Sequence, residues 1–214
     1  MIAIIDYGMG NVRSVRDAMD SLGEDVVITA RRDEIASADR LILPGVGAFG
    51  DAIANLDARG LKPILSDEVL VKRKPFLGIC LGLQLLAESS SEHGLHRGLG
   101  WIDGTVVRFD AGSQLKIPHM GWNDVRKASG HPLLDGLTDV QLCFYFVHSY
   151  HLVSPRPDHV VATCDYGIRF PAMVARDNIA ATQFHPEKSQ DSGVRLLKNF
   201  ARWQPSNSAR QAVA

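Results

Sequence analysis

The stretch from Pro75 to Glu88, Pro-Phe-Leu-Gly-Ile-Cys-Leu-Gly-Leu-Gln-Leu-Leu-Ala-Glu, leaves the rest of the chain little freedom. Phe76 to Ile79 is a short apolar run that reads as a buried strand, and Leu83, Leu85, Leu86 and Ala87 recur at spacings a helix uses. A strand that becomes a helix within about two residues makes a tight bend, with Cys80 at its tip. Gly78 and Gly82 remove the Cβ atoms that would collide as strand and helix converge. Such a bend exposes the sulfur and sets it at a helix N-terminus, where free N–H groups and the helix dipole favour a thiolate. A structural cysteine in an ordinary βα turn would fit the same five residues, so the chemical reading depends on partners elsewhere.

A βα unit of this kind needs neighbours that bury both faces of its strand. Ile2 to Asp6 supplies one strand, and Gly8-Met-Gly10-Asn11 turns it into a helix from about Val12 to Leu22. Arg13 stands where a dinucleotide fingerprint would have its third glycine, so the two glycines do not indicate a cofactor. Val26 to Thr29 and Arg40 to Leu43 read as further strands. Pro44-Gly-Val-Gly-Ala-Phe-Gly50 leads to a helix from Asp51 and another from about Leu61 to Lys72. This alternation predicts an α/β fold, a doubly wound, mostly parallel sheet flanked by helices. Beyond Glu92 the pattern changes to short runs at Thr105–Phe109, Trp122–Val125, Leu142–Val147 and Val160–Cys164. They predict an added antiparallel β region at one side of the sheet. Met173–Arg176 and Ile179–Phe184 read as a hairpin turning at Asp177-Asn178, and a last helix runs from about Asp191 to Trp203. No linker divides residues 1–203, which are expected to form a single domain. The polar segment 204–214 is expected to be a disordered tail.

Composition narrows the function by exclusion. Lys plus Arg total 23 against 24 Asp plus Glu, with no basic run, which argues against a nucleic-acid or membrane-surface partner. Ile2 to Ile5 is halted by Asp6, too short for a signal peptide or a membrane span. Three widely spaced cysteines make neither a disulfide framework nor a metal pattern. A cytoplasmic location, with no metal and no cofactor, is the expectation. Cys143 and Cys164 lie in apolar strand-like runs and read as core filler.

A cysteine nucleophile needs a base, and the base an orienting group. Among eight histidines, His185 stands out in Gln183-Phe-His-Pro-Glu-Lys-Ser189, at the end of a strand-like run. Pro186 biases His185 towards an extended conformation, and Glu187, two residues on, then falls on the same side. Acyl transfer also needs oxyanion donors. The N–H of Leu81, directly after the nucleophile, is one. Val46, between Gly45 and Gly47, can turn its peptide to provide the other.

These segments carry a resemblance. Gly-Ile-Cys-Leu-Gly-Leu-Gln84 with a distant His-Pro-Glu is similar to the class I, triad-type glutamine amidotransferases. More narrowly, Asp6-Tyr-Gly-Met-Gly-Asn11, Pro44–Gly50, His119-Met-Gly-Trp-Asn123, Tyr145-Phe-Val-His-Ser-Tyr150 and Gln183–Ser189 resemble the glutaminase subunits of imidazole glycerol phosphate synthases, over roughly residues 1–203. The resemblance implies catalytic roles for Cys80, His185 and Glu187, an oxyanion hole at Val46, Gly47 and Leu81, and glutamine contacts at Gln84, Glu92 and Gly47. It implies ammonia passed to a (β/α)8-barrel cyclase/synthase subunit in a heterodimer that makes imidazole glycerol phosphate and an aminoimidazole carboxamide ribotide. His119, Met120, Trp122, Lys188 and Asn11 are then the expected partner interface. The same glutaminase could feed a different barrel synthase, for instance one amidating a surface-sugar precursor, because acceptor specificity lies in the partner. A non-catalytic scaffold is the other alternative, opposed by the intact Cys80, His185 and Glu187. Glu92, in Ser89-Ser-Ser-Glu92, could instead be a solvated helix end.

Overall fold

A computed structural model describes residues 1–110 and 115–205, so most of the expected tail lies outside the described residues. Four strands and their helices follow the predicted alternation: β1 (Ile2–Ile5), α1 (Val12–Asp20), β2 (Val26–Thr29), α2 (Arg32–Ser37), β3 (Arg40–Gly45), α3 (Phe49–Ala58), α4 (Leu61–Ser66), β4 (Phe76–Cys80) and α5 (Leu81–Leu85). The rest is β5 (Ser89–Ser90), β6 (His96–Arg97), β7 (Thr105–Arg108), β8 (His119–Lys127), β9 (Cys143–His148), β10 (Tyr150–Val153), β11 (Val160–Tyr166), β12 (Ile168–Arg176), β13 (Ile179–Thr182) and α6 (Gln190–Arg202).

The main sheet runs β2-β1-β3-β4-β13-β12-β11-β8-β9, parallel from β2 to β13 and antiparallel from there on. Its parallel strands are apolar at successive positions because both faces are covered. Alternation divides them: Ile2 and Ile4 face α1 and α6, while Ala3 and Ile5 face α2 to α5. Leu77 and Phe76 divide in the same way. The closing helix buries Gly193, Leu196, Leu197 and Phe200, an i, i+3, i+4, i+7 stripe. Arg40 donates to the Phe200 and Trp203 carbonyls at its C-terminal end, at 3.2 and 2.9 Å.

Four features depart from the sequence reading. α2 was not anticipated: it is one and a half turns long and buries only Ile35, too little for a periodic signal. The helix after Leu61 is α-helical only to Ser66 and continues as a π turn over Asp67–Val71. β12 begins at Ile168, five residues before the predicted hairpin arm, because its first half pairs with β11 rather than with β13. Thr105–Arg108 does not extend the main sheet. It joins a second sheet of order β10-β7-β5-β6, in which Tyr150–Val153 runs antiparallel to it.

Candidate active site

The loops after β1, β3, β4 and β13 emerge at one end of the parallel sheet, the C-terminal strand ends where open α/β sheets hold their ligands. Cys80 lies there in a left-handed conformation, φ 56° and ψ −108°. A non-glycine residue held so costs about 1–3 kcal/mol and persists only where the surroundings over-determine it. They do so from both sides. β3 pairs Gly45 with Cys80, and α5 lies so close that a Cβ on Gly82 would run into the Leu43 carbonyl oxygen. A Cβ on Gly78 would come within 2.8 Å of the Gly82 carbonyl oxygen. The two glycines are therefore required by packing, as the spacing predicts.

His185 follows β13, with its N–H donating to the Tyr145 carbonyl at 2.9 Å and its own carbonyl accepting from the Ser189 hydroxyl at 2.6 Å. Its φ and ψ of −100° and 95° are extended, as Pro186 requires. Glu187 reaches it differently from the prediction. Residues Pro186–Lys188 form a single 3-10 turn rather than an extended segment, and that turn brings Glu187 Oε1 to 2.7 Å from His185 Nδ1. Both side chains are buried, and among the described residues Nε2 of His185 has no hydrogen-bond partner besides the neighbouring Cys80 sulfur. Burial of the ring works to lower its pKa, but the charge and hydrogen bonding of Cys80, and then of Glu187, outweigh it and raise His185 to about 10. Removing the charge in Glu187→Gln should lower that pKa, measured by NMR titration of the ring. It should also reduce turnover less than His185→Ala, for which a general acid–base group predicts a loss of about 10²–10⁴-fold.

A cavity of about 700 Å³ opens over the sulfur, lined by Val46, Gly47, Leu81, Gln84 and Glu92 among others. Gly47 has a φ of +103°, a conformation glycine holds without strain. Gln84 is buried, and its Nε2 donates to the Tyr150 carbonyl at 2.9 Å and to Gln183 Oε1 at 3.1 Å. Glu92 is not a solvated helix end. It is buried after β5, and its Oε2 accepts from the Phe49 N–H at 2.7 Å, at the positive end of α3.

Three neighbours were not singled out from the sequence. Gln183 is fully buried, its Nε2 3.8 Å from the Cys80 sulfur. Its place two residues before His185, on the same side of an extended run, was the available signal. Arg108 and His148 line the cavity from the second half of the chain, where no local pattern links them to Cys80.

The expected interface residues separate. Met120 and Trp122 are 61% and 48% exposed on one face of β8. Tyr145 packs edge-on against Trp122 at 6.2 Å, and Lys188 Nζ lies 5.9 Å from the centre of the Tyr145 ring. Asn11, half-buried, accepts from the Ser14 hydroxyl at 2.8 Å at the start of α1, which packs against the turn holding Lys188. His119 does not belong with them. Strand alternation turns it inward to 2% exposure, with its Nδ1 2.9 Å from His148 Nε2 and its ring stacked on Tyr166.

Burial lowers His119 to about 4 and His148 to about 3. Histidines depressed in the folded state contribute stability that is complete above about pH 6.5 and lost as pH falls towards those values. Thermal midpoints should therefore drop between pH 6.5 and 4.

A family model described as glutamine amidotransferase class-I matches residues 3–203. The chain belongs to that family. Two bacterial relatives are each named an imidazole glycerol phosphate synthase subunit HisH. One, HisH 2 of Nitrobacter winogradskyi, is 50% identical over 95% of this chain and 99% of its own. The other, from Rhodopirellula baltica, is 51% identical over 94% and 97%. Among solved structures, PurLQS from Thermotoga maritima superposes with a TM-score of 0.73 at 16% identity, covering 94% of this chain and 97% of that one. A structure described as a glutamine amidotransferase gives 0.69 at 20% identity over 94% and 98%. These neighbours share the α/β amidotransferase fold. Among the described residues of this amidotransferase, no helix is long and apolar enough to cross a membrane.

Proposed function

We propose that this amidotransferase hydrolyses glutamine and hands the ammonia to a (β/α)8-barrel synthase subunit of histidine biosynthesis. The hydrogen bond between His185 Nδ1 and Glu187 Oε1, beside a cysteine held on a strand-to-helix bend, carries the chemical reading. Cys80 gives its proton to His185 Nε2, and the sulfur attacks the side-chain carboxamide carbon. The oxygen of the tetrahedral intermediate takes up the electron pair against the N–H groups of Leu81 and Val46. When the carbonyl re-forms, the C–N bond breaks and His185 returns its proton to nitrogen, releasing ammonia. Water then adds to the γ-glutamyl thioester as His185 accepts its proton, and the C–S bond breaks to release glutamate and restore Cys80. Glu187 holds the ring through both steps. Gln84, Glu92 and the Gly47 backbone are assigned to the amino-acid end of glutamine.

Ammonia released near neutral pH becomes ammonium and is lost as a nucleophile, so this chemistry calls for direct delivery to an acceptor site. The exposed Met120 and Trp122, with Lys188 one residue beyond Glu187, support a docking face joined to the active site. A partner synthase subunit making imidazole glycerol phosphate is inferred from the names of the whole-length relatives, and its barrel fold and the aminoimidazole carboxamide ribotide from the motif resemblance. Residues 1–203 would act as one domain, consistent with the family match.

Co-purification with the barrel subunit, followed by glutamine-dependent formation of the two products, tests the assignment. Formation of a different amidated product would point to another synthase. Lys188→Glu should weaken the complex or the transfer of ammonia while leaving the fold intact. Unchanged coupling of glutamine hydrolysis to product would remove Lys188 from the interface.

A further inference from the structure

Tyr7 follows β1 and is fully buried, yet its hydroxyl has no hydrogen-bond partner among the described residues. Burying an unpaired hydroxyl is destabilising, so its presence requires a physical reason. Its position provides one. A Cβ on Gly45 would stand 2.5 Å from the Tyr7 oxygen and 2.8 Å from the Leu81 Cβ, which places the hydroxyl beside Gly45, the residue whose carbonyl shares a peptide with the Val46 N–H. The same β1–α1 loop meets the glycine loop twice more. A Cβ on Gly47 would lie 2.7 Å from Met9 Cε, and one on Gly10 would lie 3.1 Å from the Pro44 carbonyl oxygen. Burial, and then the charge of Cys80, raise the pKa of the phenol, so it keeps its proton and remains a donor.

A peptide that turns moves both of its polar groups. If the Val46 N–H swings towards the reacting carbonyl, the Gly45 carbonyl swings with it and needs a donor in its new position. We propose that Tyr7 is a positioning residue for the oxyanion hole, its hydroxyl donating to the Gly45 carbonyl once the Gly45–Val46 peptide has turned and so holding the Val46 N–H in place. The unpaired hydroxyl is then the resting half of a two-position device. This proposal rests on the amidotransferase reading of the same loop.

The test compares wild type with Tyr7→Phe, which keeps the ring and its packing, each in complex with the co-purified synthase subunit and its acceptor substrate. The variant should lower the stimulated kcat for glutamine hydrolysis by roughly 5- to 20-fold, the worth of one buried hydrogen bond, with KM for glutamine within about twofold and an unchanged or higher thermal midpoint. An unchanged kcat, or a rise in KM alone, overturns the proposal, because the hydroxyl would then have no part in holding the hole. A lower thermal midpoint also overturns it by making the hydroxyl a structural group. Failure of the wild-type complex itself to hydrolyse glutamine would overturn the amidotransferase reading, an outcome distinct from a silent Tyr7→Phe substitution.

Discussion

Cys80→Ala is expected to bring glutamine hydrolysis to background, a loss on the order of 10⁴-fold or more, because the covalent route disappears with the sulfur. The fold should survive. The change even removes part of the cavity floor without touching the glycines that set the bend. Cys143→Ala and Cys164→Ala are the controls. Cys164 is buried, and that burial followed by nearby acidic charge pushes its thiol up to about 12. Cys143 is raised in the same direction, by burial and then by Asp124. Among the described residues neither has a histidine hydrogen-bonded to a carboxylate beside it, and each variant should keep near-normal turnover. Trapping with a glutamine analogue that alkylates thiols, followed by peptide mapping, would locate the reacting cysteine. Normal turnover by the Cys80 variant would end the assignment.

The isolated chain should bind glutamine but turn it over slowly, and docking of the synthase with its acceptor should raise the rate by about 10²–10³-fold, the worth of one oxyanion donor. Without such control, free subunits would waste glutamine. The structure offers a place for it. Val46 is 41% exposed between two glycines at the mouth of the cavity, so its own side chain does not hinder rotation of the peptide. Gly47 already holds a φ of +103°, and a side chain there would be strained and would strike Met9. Gly47→Ala should therefore depress the stimulated rate more than it depresses glutamine binding. The measurement is glutaminase rate for the chain alone, with the partner, and with partner plus acceptor. Full activity in the isolated chain would leave no role for rotation of the Val46 peptide.

The sequence by itself determined the features that depend on short separations. Gly78, Cys80 and Gly82 specify a bend because backbone sterics act over two residues. His185-Pro-Glu187 specifies an oriented imidazole because its partners are nearly adjacent. The alternation of strands with helices predicted a doubly wound sheet flanked by helices, and the fold has one. Tertiary structure decided whatever depends on which side of a strand faces which neighbour. His119 and Met120 are adjacent in sequence and equally plausible at an interface, but the register of β8 against β9 turns one inward and the other to solvent. Glu92 is indistinguishable in sequence from a solvated acidic residue until α3 presents the Phe49 N–H to it across 43 positions. Tyr7 stood in the sequence only as a member of the segment Asp6–Asn11, and the packing of β1's loop on β3's loop left its hydroxyl buried beside Gly45 and, among the described residues, unpaired. A one-dimensional pattern records periodicity and local sterics. Long-range register and the pairing of buried polar groups are settled only when the sheet closes and each donor meets the acceptor left to it.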